Sequence, residues 1–305
     1  MLSAAYNLRV SQAPTPARIR LPRLDHPPAT IFEFLCARFS HIPPDTWRAR
    51  IAAGDVRIAE TPISIQTPYQ PGVTVFYFRE VAAEPGIPFA ETVLHEDDRL
   101  LVADKPHFLP VTPAGGVVNE CLLFRLQRRT GLADLAPIHR LDRDTAGLVL
   151  FAKRAEDRAA YARLFAEGKV ERKYLAIAKV TAAAKPRQWL VESRIEPEPG
   201  SFRMRSVGGE VNARTHIELL QVQDGLGRFE LRPATGKKHQ LRLHMLALGF
   251  PILHDPFYPE LSRTEAGDFF RPLQLLASEL KFDDPTTRVS LRFETRLQLI
   301  TGPPS

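Results

Sequence analysis

We predict an α+β fold with a largely antiparallel sheet for this chain of 305 residues. Helix-like and strand-like segments alternate without the regular βαβ rhythm of a parallel sheet. Strand-like segments dominate the second half, and several show the period-two alternation of a half-buried strand. The hydrophobic fraction of 44% is ordinary for a globular protein, and no stretch reaches the roughly 18 apolar residues of a membrane-spanning helix.

The N-terminal third predicts a basic arm followed by a small α/β module. Residues 1–24 carry four arginines, no acidic residue and several prolines, so we expect a loosely structured arm rather than an amphipathic transit helix. Over residues 25–80, Thr30 and Glu33 form a capping box, and Asp45 is expected to cap a second helix over 46–53. Short strands follow, and a Pro- and Gly-containing linker at 81–89 separates this module from a larger domain over 90–300.

The larger domain is predicted to contain three helices and at least six strands. Gly131, Gly168 and Gly249 end the helices, and a continuous apolar run at 147–152 indicates a buried strand. The predicted helices are 119–130, 155–167 and 240–248, and the predicted strands are 100–103, 147–152, 174–180, 215–222, 228–232 and 289–297.

Charge and cysteine content narrow the classes of partner. The net charge is +6, and the excess concentrates in residues 1–24 and 231–254, two acid-free zones suited to a phosphate polymer. Cys36 and Cys121 lie far apart without a CxxC spacing, so we expect no disulfide framework and a reducing compartment, the cytoplasm.

The densest polar cluster is 139–147 (HRLDRDTAG), a charged loop that leads into the buried strand. Loops at strand ends commonly hold functional groups. Asp142 lies between Arg140 and Arg143, whose charges favour an ionised carboxylate able to act as nucleophile or base. The alternative is a structural network in which these arginines and aspartates satisfy one another.

A second cluster, 233–244 (PATGKKHQLRLH), predicts a phosphate site. Thr235 and Gly236 form a turn before a helix, whose free N–H groups would join Lys237 and Lys238. Arg242 lies three residues beyond His239 and is expected on the same face. The alternative is a solvated basic helix end. His239 and His244 have the wrong spacing for a metal site on one helix face, and no acidic ligand lies near, so no metal is expected.

Three further candidates are less specific. Lys105 follows a predicted strand. Tyr174 is either a core residue or a ring that stacks on a base. The loop at 202–205 (FRMR) is either a finger that contacts nucleic acid or an exposed hairpin.

These motifs resemble those of the RluA-type pseudouridine synthases. The 139–147 segment matches that family's H-R-L-D-x-x-T-S/T-G, and the second cluster matches P-x-T-G-R-x-H-Q-I/L-R-x-H, with Lys237 in place of arginine. Upstream, 93–98 (VLHEDD) and Lys105-Pro106 resemble V-L-Y-E-D-D and K-P. Downstream, 249–252 (GFPI), Asp255 and Tyr258 resemble G-x-P-I-x-G-D-x-x-Y. The N-terminal module resembles the small RNA-binding domain named after ribosomal protein S-four, through 51–58 (IAAGDVRI).

The resemblance implies a pseudouridine synthase fold with mainly antiparallel mixed sheets, plus the small N-terminal α/β RNA-binding module. It implies isomerisation of uridine to pseudouridine in ribosomal or transfer RNA, without metal or cofactor. Asp142 would attack C1′ of the ribose or remove the 2′ proton, Arg242 would pair with it, and Tyr174 would stack on the target base.

Flipping the uridine out of its stack is required to expose the glycosidic bond. The resemblance implies that Arg140 occupies the space left by the flipped nucleotide. The RNA contacts we expect are Arg140, Arg143, Lys237, Lys238, His239 and Lys105. We expect a monomer with RNA as its partner, no membrane and no obligatory protein partner.

Two other functions compete with this interpretation. A non-catalytic RNA-binding protein with the same fold would be expected to have lost the aspartate, whereas Asp142 is present. A glycosidase would use Asp142 and Asp144 as a carboxylate pair about 5 Å apart, which leaves the basic clusters without a role.

Overall fold

The computed structural model describes residues 11–12, 16–78, 80–81, 84, 86–114, 117–181, 187–262 and 269–299. The chain divides into two compact units. The N-terminal unit comprises Met1–Glu84 and Ala114–Asn119, and the C-terminal unit comprises Pro85–Pro113 and Glu120–Ser305. Among the helices in the described ranges, none has the length and apolar character needed to cross a membrane.

The N-terminal unit packs two helices on a small antiparallel sheet. The sheet has the strand order β2-β5-β3-β4, and β1 pairs separately with β6. Its core includes Ile31, Leu35 and Trp47 from the helices and Val56 and Val75 from the strands. The elements are β1 (Ser11–Gln12), β2 (Ala17–Arg20), α1 (Ile31–Arg38), α2 (Pro44–Ala52), β3 (Val56–Ile58), β4 (Thr61–Pro62), β5 (Thr74–Tyr77) and β6 (Glu80–Val81).

Of the two helix caps predicted for this unit, the cap of α1 is observed and the cap of α2 is not. The Thr30 hydroxyl accepts the N–H of Glu33 at 3.2 Å, which confirms the cap of α1. The predicted cap of α2 by Asp45 is wrong, because the helix begins at Pro44, whose fixed φ suits a first helical turn. The Asp45 carboxylate instead pairs with Arg48.

The segment expected to be a loose arm contains ordered strand. Residues 17–20 form β2 and pair with β5, and Leu21 is 1% exposed in the core of the unit. The expectation of a loosely structured arm is therefore wrong for residues 17–21, because Ile19 and Leu21 supply apolar side chains to the core. Residues 1–10 of the predicted arm lie outside the described residues.

In the C-terminal unit, eleven strands of the described residues form one mixed sheet. Its main path is β13-β12-β14-β15-β11-β16-β10-β8-β7, with β17 beside β16 and β9 beside β10. The elements are β7 (Thr92–Glu96), β8 (Leu100–Lys105), α3 (Leu122–Thr130), β9 (Ala136–Pro137), β10 (Ala146–Ala152), α4 (Arg158–Ala166), β11 (Glu171–Lys179), β12 (Gln188–Pro197), β13 (Met204–Val207), β14 (Ala213–Gln223), β15 (Leu226–Pro233), α5 (Gln240–Ala247), β16 (Leu275–Asp283) and β17 (Ser290–Glu294).

The sheet is antiparallel except at its centre, which confirms the predicted α+β class. Within the described ranges, β10 and β16 make the one parallel pair, with Gly147 opposite Ala277. Strands β8 and β10 are buried on both faces, because α3 packs on one side through Leu126 and α4 on the other through Tyr161. This double burial explains the continuous apolar run at 147–152.

Several elements differ from their predicted bounds. The helices α3 and α4 begin three residues later than predicted, at Leu122 and Arg158. At α4, the Asp157 carboxylate accepts from Arg99 and makes no cap. No strand was predicted at the central β16, nor at β7, β12 or β13.

Candidate active site

One edge of the large sheet lies next to the polar motif at 139–147. There β8 ends at Lys105, while β10 and β16 begin at Ala146 and Leu275. We call this edge the site edge. Cross-strand pairing continues from Gly147 through Ala277 to Tyr174, so the loop before β10 lies close to the strand that carries Tyr174.

Gly147 allows the two parallel strands to approach closely directly after the polar loop. A Cβ at this position would lie 2.2 Å from the carbonyl oxygen of Ala277, and the backbone φ is +112°. Only glycine satisfies both conditions without displacing β16. The glycine of the HRLDRDTAG segment therefore fixes the distance between the polar loop and β16.

Two side chains, one at the end of β8 and one just after it, hold the polar loop through its backbone. The Lys105 ammonium donates to the carbonyl oxygen of Arg143 at 3.0 Å, and Nδ1 of His107 donates to that of Asp144 at 2.7 Å. The Thr145 N–H donates to the carbonyl oxygen of Asp142 at 3.2 Å and closes a turn. The position of the Asp142 side chain is thus set by a turn anchored at two successive carbonyls.

Asp142 presents a partly covered carboxylate. Its side chain is 31% exposed, and Oδ2 lies 3.7 Å from Nη1 of Arg242 and 4.0 Å from Nε2 of His239. Burial raises the pKa of Asp142 above its ordinary value, and the positive charge of Arg242 opposes that rise. The nearby Asp144 raises the pKa of Asp142 further, whereas Lys238 and Lys105 lower it. Such a perturbed carboxyl is typical of a functional site.

Arg242 is the charged partner of Asp142, and Asp255 holds it. Arg242 is 1% exposed, and its Nε and Nη2 donate to the two carboxylate oxygens of Asp255. The Asp255 carboxylate also accepts the backbone N–H groups of Phe257 and Tyr258. This bidentate pairing fixes the plane of the guanidinium.

The remaining nitrogen of Arg242 is directed to Asp142. Nη1 of Arg242 is buried and makes no hydrogen bond with the described residues, and it lies 3.7 Å from Asp142. The guanidinium carbon also lies 4.4 Å from the centroid of the Phe257 ring. A buried, oriented cation beside a carboxylate favours its ionised form.

His239 is a neutral ring beside Asp142. Burial lowers the pKa of His239 to about 3. The Tyr258 hydroxyl donates to the carbonyl oxygen of Met204, so Nδ1 of His239 carries the proton of its 2.9 Å bond to that hydroxyl. Nε2 of His239 lies 4.0 Å from Oδ2 of Asp142.

Tyr174 lies on β11 between Ala277 and Leu231 and is half-buried. Burial raises the pKa of its hydroxyl, and the charge of Asp142 raises it further. The charge of Asp142 is thus close enough to act on the Tyr174 hydroxyl.

This arrangement has relatives. A family model described as RNA pseudouridylate synthase matches residues 99–247. The dual-specificity RNA pseudouridine synthase RluA of Escherichia coli (strain K12) is 32% identical over 208 residues, which cover 66% of this chain and 91% of that protein. The chain belongs to the RluA-type pseudouridine synthase family. The synthase is thus an isomerase that converts uridine in RNA to pseudouridine.

Other comparisons agree with that assignment. An uncharacterized RNA pseudouridine synthase of Synechocystis sp. is 29% identical over 232 residues, 75% of this chain and 79% of that protein. A ribosomal large subunit pseudouridine synthase D of Nitrosomonas europaea is 31% identical over 214 residues, 67% of this chain and 61% of that protein. The solved structure of human RNA pseudouridylate synthase domain containing 1 shares the fold, with a TM-score of 0.56, 24% identity, and coverage of 70% of this chain and 86% of that one.

Two of the expected RNA contacts of the synthase are wrong. Lys105 is fully buried, and its ammonium donates to three carbonyl oxygens, those of Pro106, Leu109 and Arg143. Burial lowers the pKa of Lys105 to about 7. His239 is 5% exposed and neutral, so it provides no cation for a phosphate.

The predicted phosphate site at the start of α5 also needs correction. The Gln240 side-chain oxygen accepts the N–H of Lys237 at 3.0 Å and the hydroxyl of Thr235 at 2.8 Å, so these groups are already bonded. Lys237 and Lys238 themselves are exposed, and Nζ of Lys238 donates to the carbonyl oxygen of Phe202. Their amines, rather than the helix terminus, are the groups available to a phosphate.

The flanking arginines differ in their surroundings. Arg140 is exposed, whereas Nε of Arg143 donates to Asp144 at 3.0 Å. Neither arginine is a main cause of the shift in the pKa of Asp142. Arg242 is the cation that lowers this pKa most. Arg242, rather than Arg140 and Arg143 as expected, therefore favours the ionised form of Asp142.

No particular role was predicted for Asp255 and Tyr258. Both occur in the downstream motif, G-x-P-I-x-G-D-x-x-Y, and that motif was the available signal. Asp255 orients Arg242, and Tyr258 orients His239. His244 contacts Thr215 and Ser193 through its two ring nitrogens.

Proposed function

We propose that Asp142 is the catalytic carboxylate of the synthase. The single observation that carries this proposal is its position between the oriented Nη1 of Arg242 and the neutral ring of His239. In the reaction, the bond from C1′ to N1 of uracil breaks and a bond from C1′ to C5 forms. The C5 hydrogen leaves as a proton, and N1 takes up a proton, so the composition is unchanged. Asp142 in its ionised form either attacks C1′ or removes the 2′ proton.

Arg242 acts on Asp142, and Tyr174 acts on the base. The cation of Arg242 favours the ionised carboxylate against the effect of burial. The half-exposed ring of Tyr174 lies at the same site and offers a stacking surface for a flipped uracil. Arg140, exposed on the loop next to Asp142, is the side chain best placed to fill the space that the nucleotide leaves.

The exposed cations near this site supply the contacts to RNA phosphates. These are Arg140, Arg143, Lys237 and Lys238, of which the last two precede α5. Phosphate contacts give affinity without sequence preference, so selection of the uridine falls to RNA shape and unpaired bases. We propose a stem-loop of ribosomal or transfer RNA as substrate, in line with the named activity of the ribosomal large subunit relative.

We also propose that the N-terminal unit binds RNA as an S-four-like domain, approximately residues 25–80 with β2 added. The guanidinium groups of Arg18 and Arg20 are exposed on β2, on the side opposite Ile19. Changing both arginines to glutamine in the full chain is expected to weaken RNA binding at low salt. Unchanged affinity would overturn this part of the proposal.

We also propose a monomer without an obligatory protein partner, acting in the cytoplasm. Cys36 is a free thiol, in agreement with a reducing compartment. Sedimentation velocity is expected to give a species of 34.3 kDa. A stable dimer would overturn the monomer.

Tritium release tests the substrate proposal. RNA labelled with [5-³H]uridine must lose tritium when pseudouridine forms. We expect release from ribosomal or transfer RNA prepared from cells that lack the enzyme. Release from messenger RNA alone would overturn the proposed substrate class, and absence of release from every pool would overturn the activity.

A further inference from the structure

Arg172, near the start of β11, is a half-buried cation that pairs with no carboxylate among the described residues. Its neighbours along the strand are paired, Glu171 with Lys281 and Lys173 with Glu279. Nε of Arg172 is buried and makes no hydrogen bond within the described ranges. A buried charge without an opposite charge costs free energy of folding, so this cation favours the binding of an anion.

The turn before α5 anchors the guanidinium of Arg172. Nη2 donates to the carbonyl oxygens of Pro233 and Thr235, each at 3.2 Å. A Cβ at Gly236 would lie 3.2 Å from Nη1 of Arg172, so the glycine leaves room for the guanidinium against the backbone of the turn. The same turn leads to His239 of the site. The turn therefore fixes the position of the cation relative to the site.

Arg172 lies close to Tyr174. The two residues share one face of β11, because alternate residues of a strand point to the same side. The ring of Tyr174 packs on the core that contains Leu241 and Met245 of α5. The charge of Arg172 lowers the pKa of the Tyr174 hydroxyl, against the larger effect of burial. It also adds to the effect of burial in lowering the pKa of His139, at the start of the polar loop, to about 3.

Breaking the glycosidic bond leaves a negative charge on the base. By either route open to Asp142, the electron pair of the bond from C1′ to N1 stays on N1. Uracil therefore departs as an anion whose charge spreads over its ring and its carbonyl oxygens. A fixed cation where charge develops lowers the barrier, most of all where water is excluded. A cation close to the ring that stacks on the base favours this cleavage.

The other buried cations described at this site are already engaged. Arg242 binds Asp255 and faces Asp142, and the Lys105 ammonium donates to three carbonyl oxygens. Lysines 237 and 238 are exposed, which suits the phosphates of the RNA backbone. Arg172 is thus the buried cation whose charge is left for the base.

We propose that the guanidinium of Arg172 stabilises the uracil anion formed when the bond from C1′ to N1 breaks, and is a further catalytic residue of the synthase. The base stacks on Tyr174, and Arg172 donates to one of its carbonyl oxygens through the part of the guanidinium that does not bind the turn. C5 of the anion then bonds C1′, the C5 proton leaves, and N1 takes up a proton. This inference rests on the proposed function of Asp142 and Tyr174.

Single-turnover tritium release from RNA labelled with [5-³H]uridine tests this role in the full-length synthase. Arg172→Gln is expected to lower the rate by about 10²- to 10³-fold, because the charge opposite the leaving base is lost. The dissociation constant of the same RNA is expected to stay within about 2-fold of wild type, since no phosphate contact is removed. Arg172→Lys keeps the charge, and we expect it to react about 10-fold faster than Arg172→Gln.

Both substituents can donate to the carbonyl oxygens of the turn, so the difference between the two variants measures the charge. Arg172→Met is a second neutral variant, and circular dichroism shows which neutral variant is folded for the comparison. Lys179→Gln is the matched control, because Lys179 is an exposed cation at the other end of β11. Its rate is expected to equal that of wild type.

Equal rates in Arg172→Lys and the folded neutral variant would overturn the proposal. Weaker RNA binding with a salt slope reduced by about 1 and an unchanged single-turnover rate would assign Arg172 to a phosphate and overturn it as well. If wild type releases no tritium, the proposed function fails and this inference with it. An active wild type with an equally active Arg172→Gln overturns this inference alone.

Discussion

Nη1 of Arg242 lies 3.7 Å from Oδ2 of Asp142, while the other terminal nitrogen and Nε of the same guanidinium bind Asp255. One cation thus serves two carboxylates with different surroundings. Asp255 is 1% exposed at its side chain and is fully hydrogen-bonded, whereas Asp142 is 31% exposed and open to a ligand. The difference supports the proposal that Asp142 is the reactive group, with Asp255 as a fixed support for Arg242.

The first prediction concerns the pH dependence of activity. Burial raises the pKa of Asp142, and the reaction needs the ionised form, so activity is lost as pH falls through that raised pKa. The acid limb of kcat/KM is expected to lie above the ordinary aspartate value of about 3.9. Asp144 raises the pKa of Asp142, so Asp144→Asn is expected to move the limb to lower pH. A limb that stays in place in Asp144→Asn would contradict the coupling of the two carboxyls.

The second prediction concerns the support of Arg242. Asp255→Ala leaves a buried guanidinium without its bidentate partner, so the free energy of unfolding is expected to fall by about 3–5 kcal/mol. Activity is expected to fall as well, because Arg242 loses its orientation. Urea denaturation measures the stability change, with Glu260→Ala, an exposed acidic residue of the same segment, as control. Equal stability of the two variants would contradict the role of Asp255.

The third prediction concerns the close approach of β10 and β16. Gly147→Ala places a Cβ 2.2 Å from the carbonyl oxygen of Ala277 in a left-handed backbone. We expect a loss of more than about 3 kcal/mol in the free energy of unfolding, or failure to fold. Gly208→Ala is the control, because its Cβ would meet nothing within 4 Å. A thermal melt of Gly147→Ala within a few degrees of wild type would disprove the steric argument.

The fourth prediction concerns the phosphate contacts. Lys238→Gln is expected to weaken RNA binding at low salt and to reduce the slope of log affinity against log salt by about 1. Lys169→Gln removes an exposed lysine that pairs with Glu167, and its slope is expected to equal that of wild type. An unchanged slope in Lys238→Gln would remove Lys238 from the RNA surface.

The sequence predicted those strands whose burial produces a clear pattern of apolar residues. Strand β10 was predicted because both of its faces are covered, which produces an uninterrupted apolar run. Strand β16 was missed although it is the centre of the sheet, because Glu279 and Lys281 interrupt its apolar residues. Glu279 pairs there with Lys173 and Arg292 from the neighbouring strands, partners that only the fold provides.

The sequence motifs predicted the residues of the site. They did not predict the burial of Lys105 and His239. A lysine after a strand indicated a surface cation, yet the fold surrounds Lys105 with three carbonyl oxygens. His239 follows two lysines in the sequence, yet its ring is buried and neutral. The thirteen-residue separation of Arg242 and Asp255 hid their pairing, which requires the loop after α5 to fold back.

The central claim is that the Asp142 carboxylate performs the chemistry, and tritium release by Asp142→Ala tests it most directly. Burial of the charge opposes folding, so the variant is expected to be no less stable than wild type, with Arg242 still bound to Asp255. We predict that its release of tritium from RNA labelled with [5-³H]uridine falls by at least about 10⁴-fold while RNA binding persists. Release at a rate close to that of wild type would contradict the assignment of Asp142.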